Sequence, residues 1–190
     1  MLSGAVPRYF TTSWKQWLVF ILLSINSGAS LAVGEVFNVS EIDDTPKIRD
    51  VQYPKWFNNS FLDLQEDLDE ALANGKIGII IYFGQKNCAY CEALMQVNFG
   101  REIDIVEYTR RHFDVIPIDI WGSREVTNFN GEVFSEKKFA ENEKANFTPS
   151  LIFYGKNGAE LLQLRGYYTP YKLRGALEYV IDGYHEKETL

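Results

Sequence analysis

The chain is expected to fold as an α/β sandwich, with helices packed around a mixed β-sheet that ends in a β-hairpin. Three observations predict it. Apolar runs of strand length recur near 77–83, 115–121 and 149–154. They alternate with amphipathic helical segments, the pattern that joins parallel strands into layers. Lys156-Asn157-Gly158 then reads as a hairpin turn before a partner strand at Glu160–Arg165.

The elements follow in order. Residues 33–55 are polar and irregular, broken by Asp43-Asp44-Thr45-Pro46 and Tyr53-Pro54, and read as an extension with a short strand near Ile48–Tyr53. An amphipathic helix comes next. Asn59 or Ser60 caps it, Phe61, Leu64, Leu68, Ala71 and Leu72 recur at helical spacing, and Asn74-Gly75 ends it. Its many acids read as a solvated face. Ile77-Gly78-Ile79-Ile80-Ile81-Tyr82-Phe83 is apolar almost throughout, as a central strand covered on both faces should be. A helix from the cysteines to about Phe99, interrupted at Gly100, precedes a second piece over Glu102–His112, with Ile105, Val106 and Tyr108 inward. Val115–Trp121 is a strand, and 122–132 is a polar stretch with an Asn130-Gly131 turn. Ser135 caps a short helix to about Asn146, and Pro149–Tyr154 is a strand. Thr169-Pro170 opens the last helix as N-cap and N1 proline, with Leu173, Leu177, Val180 and Ile181 on one face.

The first 32 residues differ in kind. Arg8 and Lys15 precede the apolar stretch 17–25, and small residues follow to Ala32, with no acid anywhere. That is the layout of a secretory signal, and the run is short for a membrane-spanning helix. Residues 1–32 are therefore read as a signal peptide, with an uncleaved membrane anchor as the alternative. Residues 33–55 form an extension, and 56–190 one domain. Net charge is −7 at pH 7, which argues against nucleic acid as a partner.

The chemistry concentrates in Cys88-Ala89-Tyr90-Cys91, which holds the only two cysteines. A C-x-x-C at a strand-to-helix junction is a redox-dithiol signature, because unpaired N–H groups at the helix start stabilise a thiolate on the first cysteine. A structural disulfide closing so small a loop would add little stability. Zinc or iron–sulfur sites normally take four ligands. His112 and His185 are far off in sequence. The competing reading is a copper(I)-binding metallochaperone that adds Met95 to the two thiolates. No metal or other cofactor is required by the leading one.

These residues make the chain, over about 56–185, resemble the thioredoxin-fold superfamily. Three matches carry the resemblance: the C-x-x-C after an apolar strand, Thr148-Pro149 opening the next-to-last strand, and Gly166 after the final strand. Asp119-Ile120-Trp121 through Val126-Thr127-Asn128-Phe129-Asn130-Gly131-Glu132 is similar to the longer connection of the exported SoxW-like thioredoxin-related proteins. The resemblance implies a thioredoxin-like three-layer sandwich. It implies Cys88 as nucleophile and Cys91 as resolving thiol, and a cis bond at Thr148–Pro149. Ala89, Tyr90, Thr148 and Pro149 would bind the substrate peptide.

Two departures matter. The family's usual buried acid, six residues before the first cysteine, falls on Tyr82, which leaves Tyr82 or Glu92 as proton relay. The inter-cysteine pair Ala89-Tyr90 departs from the Gly-Pro of cytosolic thioredoxins and leaves the direction of electron flow open. The expected function is a periplasmic or otherwise exported thiol–disulfide oxidoreductase that works mainly as a reductase. It would be monomeric, act on exported disulfide-containing proteins and draw electrons from a membrane-bound donor.

Overall fold

Strand β1, Gly78–Gly84, is buried at every position. Its side chains alternate between faces, so apolar residues on both sides require a layer on each. The computed structural model describes residues 50–184, and the proposed signal segment and residues 33–49 lie outside them. β1 pairs in parallel with β2 (Phe113–Asp119), from Gly78 opposite Phe113 to Gly84 opposite Asp119. On its other side it runs antiparallel to β5 (Ser150–Tyr154), which pairs antiparallel with β6 (Glu160–Arg165). The sheet order is β2-β1-β5-β6, a mixed sheet with the expected terminal hairpin.

Helix α1 (Leu64–Ala73) and helix α4 (Glu136–Asn142) share a core with Ile79, Ile81 and Phe83, Ile116 and Ile118, and Ile152. The opposite face carries Ile80 and Tyr82, Phe113 and Val115, and Leu151 and Phe153. There the chain packs α2 (Ala89–Ala93), the π-helical segment Leu94–Arg101 that follows it, α3 (Ile103–His112) and α5 (Pro170–Ile181), through Cys91, Leu94, Met95, Phe99, Ile105, Leu173, Leu177 and Val180. Three layers result.

Several local expectations are corrected. The N-cap of α1 is Asp63, whose carboxylate accepts from Glu66 N, and not Asn59 or Ser60. Ser60 instead accepts from Leu62 N and donates to buried Asp67. Phe61 therefore precedes the helix and is fully exposed, its place in the core taken by Leu62. Residues 50–53 form no strand. β2 starts and ends two residues before the expected Val115–Trp121.

The cysteine helix is not interrupted at Gly100. It continues from Leu94 to Arg101 as π-helix, with Glu102 N donating to Val97 O five residues back. A Cβ on Gly100 would come within 2.8 Å of the Met95 carbonyl, so the glycine permits the wide turn to close. The polar stretch 122–132 contributes to a second, two-stranded sheet, β3 (Glu125–Thr127) with β4 (Val133–Ser135). Three-residue strands are too short for a periodic signal. Ser135 caps α4 as expected, but the helix ends at Asn142, short of Asn146.

Candidate active site

β1 ends at Gly84, and four residues later the chain turns into α2 with Cys88 as its N-cap. Asn87 takes positive φ to make that turn. The Cys88 backbone is extended, and its sulfur accepts from Cys91 N at 3.1 Å, the geometry of a capping side chain. The two cysteines are joined by a disulfide, with Cα atoms 5.1 Å apart. Their exposures differ: Cys88 retains 7 % and Cys91 none.

Thr148-Pro149 meets the cysteines across the face. The bond is cis. Thr148 Oγ1 lies 3.5 Å from Cys88 Sγ, with the hydroxyl as donor because a disulfide sulfur carries no proton. Gly166, in the left-handed region at φ 86°, donates to the Pro149 carbonyl at 2.8 Å and so ties the loop after β6 to this corner. The structure thus gathers Cys88, Cys91, Thr148 and Pro149 in one place.

Ala89 and Tyr90 are exposed on the first turn of α2. Tyr90 stacks on Tyr167 with ring centroids 6.0 Å apart and 28° between planes. Tyr167 and Asn98 are not singled out by sequence patterning. Asn98 lies in the π-helical segment, fully buried, and its Nδ2 donates to Tyr168 O at 3.1 Å, which holds the loop carrying Tyr167. An asparagine inside an apolar helix face is the signal that could have found it.

Tyr82 lies on the cysteine-helix face, fully buried. Its hydroxyl has no hydrogen-bond partner among the described residues. Burial, then Tyr53 and then Asp119, push its ionisation well above the usual phenol range, so the phenol is neutral. Glu92 is half-buried in the first turn of α2, and its N–H donates to Cys88 O. Met95, the third ligand of the copper reading, is buried in the core cluster that includes both cysteines.

The model of the thioredoxin-like domain family matches residues 64–181. This chain belongs to that family. Among solved structures it is similar to a thioredoxin-fold protein from Helicobacter pylori, at TM-score 0.58 and 21 % identity over 69 % of this chain and 80 % of that one. It is also similar to a thioredoxin from Thermus thermophilus, at TM-score 0.50 and 20 % identity over 63 % and 84 %. Identities this low speak for the shared fold. No curated protein matches the chain. A thioredoxin-like domain with this cysteine pair supports thiol–disulfide oxidoreductase chemistry in general.

Proposed function

We propose that this thioredoxin-like protein is an exported thiol–disulfide oxidoreductase that reduces disulfides in other exported proteins. The observation that carries the reading is the asymmetry of the pair: Cys88 caps the helix beside Thr148, while Cys91 is sealed beneath it. In the reduced form the helix N-terminus favours a thiolate on Cys88. That thiolate attacks one sulfur of the substrate disulfide, forming a Cys88–substrate disulfide and releasing the other sulfur as thiolate. Cys91 then loses its proton and attacks Cys88 Sγ. The internal disulfide forms, the mixed disulfide breaks, and two electrons have passed to the substrate. Regeneration needs a dithiol donor, assigned here to a membrane-bound protein.

Thr148 and Pro149 dock the substrate backbone beside Cys88. Proline contributes no N–H that would compete for the sulfur. Ala89 and the Tyr90–Tyr167 stack form the neighbouring wall. Export rests on the signal-like pattern of residues 1–32.

The test is covalent trapping. Cys91→Ser should accumulate mixed disulfides with exported partners, because the first intermediate loses its exit. Cys88→Ser should trap few. The reduced wild type should reduce insulin disulfides without added metal. Equal trapping by both variants would end the dithiol-exchange reading.

A further inference from the structure

The resolving step described above needs an acceptor for the Cys91 proton, and Cys91 has no exposure to solvent. This inference rests on the dithiol-exchange reading and asks where that proton goes.

Tyr82 and Cys91 belong to the same buried cluster under the cysteine helix. The Tyr82 hydroxyl points along the strand toward the end of β1. A Cβ placed on Gly84 would overlap it, so the hydroxyl lies directly over the Gly84 Cα. Gly84 is the register partner of Asp119 on β2. Adjacent strands lie about 4.8 Å apart. Asp119 also falls on the same face as Tyr82, being in the alternating set Phe113, Val115, Pro117, Asp119. A neutral, unpartnered phenol thus faces the end of the strand pair where a carboxylate sits.

Beyond Asp119 the structure opens. A cleft of about 340 Å³ is lined by Asp119 together with Asp50, Tyr53, Lys86, Arg124 and Glu136. With roughly 30 Å³ per water in the liquid, it has room for several, among enough polar groups to hold them. The cleft's cations are already engaged. Arg124 pairs with Glu136 at 2.7 Å and Lys86 with Asp50 at 3.3 Å. Asp119 is the one acid of the cleft without a cation among the described residues. Its Oδ1 accepts the backbone N–H of Trp121 at 2.9 Å. Tyr53 joins the two ends, its ring edge-on to that of Tyr82 at 5.7 Å. Burial, followed by Asp119, Glu136 and Asp50, pushes the Tyr53 hydroxyl up to about 12, so Tyr53 too is a neutral phenol.

The geometry points to Asp119 as the proton acceptor for the resolving step, reached from Cys91 through the Tyr82 hydroxyl and water that the cleft has room to hold. As Cys91 S–H is deprotonated, Tyr82 accepts that proton and passes its own through cleft water to the Asp119 carboxylate. The Cys91 thiolate attacks Cys88 Sγ, the Cys88–substrate bond breaks, and the substrate leaves as thiolate. Asp119 then returns its proton to solvent. Asp119 and Tyr82 act as relay groups, and neither bonds to sulfur.

The experiment mixes the reduced full-length chain rapidly with an aromatic disulfide that releases one coloured thiolate at each cleavage. The first release reports attack by Cys88, and the second reports resolution by Cys91. Asp119→Asn keeps the acceptor for Trp121 N. It should slow the second release about tenfold or more at pH 7 and move its pH midpoint upward, with the first release unchanged within about twofold. Tyr82→Phe removes only the hydroxyl and should slow the second release similarly. The double variant should be no slower than the worse single one, since both interrupt one path. A second release unaffected by Asp119→Asn across pH overturns the proposal, as does a normal second release in Tyr82→Phe. Equal slowing of both releases by Asp119→Asn overturns it as well, by giving the acid a structural role. If the wild type releases no first thiolate, the exchange reading falls, and this inference with it.

Discussion

The two faces of β1 differ in what they bury. Ile79, Ile81 and Phe83 meet α1 and α4 in a core of aliphatic and aromatic side chains. Ile80, Tyr82 and Gly84 look the other way, toward the cysteine helix, and there the packing is irregular. A phenol is buried without a hydrogen-bond partner among the described residues, and a glycine clears space for it. An unpartnered buried hydroxyl costs about 1–3 kcal/mol. One face of a seven-residue strand thus serves stability, while the other carries a costly arrangement beside the chemistry.

The largest effect tests the first half of that contrast. Ile81→Ala should destabilise the fold by about 2–5 kcal/mol by leaving a cavity in the regular face. Exchange per folded molecule should be unchanged. Denaturant midpoints together with insulin-reduction rates check this, and a fall in specific rate would show that the faces are not independent.

Asp67, on α1, puts a buried acid at the edge of the regular face. Burial raises its carboxyl to about 6 from 3.8, with the Ser60 hydrogen bond pulling downward and Asp63, Glu70 and Glu66 pushing up. The folded state therefore holds this proton more tightly than the unfolded chain does. Its contribution to stability is fully present below about pH 4 and is lost as pH rises through 6, a change of up to about 3 kcal/mol. Asp67→Asn should flatten the stability profile between those values and be the more stable protein at pH 7. An unchanged slope in thermal melts across that window would remove Asp67 as its source.

Gly84→Ala addresses the irregular face. The new Cβ would displace the Tyr82 ring, at a cost of about 1–3 kcal/mol. It should also slow resolution by Cys91 more than attack by Cys88. If both steps keep their wild-type rates, the placement of the phenol is irrelevant to exchange.

The smallest effect is Tyr82→Phe. Removing the unsatisfied hydroxyl recovers its cost less that of the small void left behind, so the change should be neutral or stabilising by about 1 kcal/mol, although it slows the second step. A loss of stability in chemical denaturation would mean that the hydroxyl has a partner in solution and that the two faces are more alike than they look.

Much of this protein follows from local pattern. The central strand, the cysteine helix, the terminal hairpin and the last helix each carry their own signal: an apolar run, a C-x-x-C, an Asn-Gly turn, a Thr-Pro start, although the Thr169 side chain makes no capping hydrogen bond. The pairing of Cys88 with Cys91 is equally local, because three residues on one helical turn place them together. Tertiary structure decided what depends on meeting a distant partner. Phe61 looks like a core residue until Asp63 takes the cap and turns it outward. Asn98 and Tyr167 become part of the site only because a carbonyl and a ring from elsewhere reach them. Asp119 reads as one more acid in an acidic chain. Parallel pairing with β1 alone sets it opposite Gly84, where the Tyr82 hydroxyl ends. Periodicity tells which face a side chain occupies, whereas strand register across the sheet decides what it finds there.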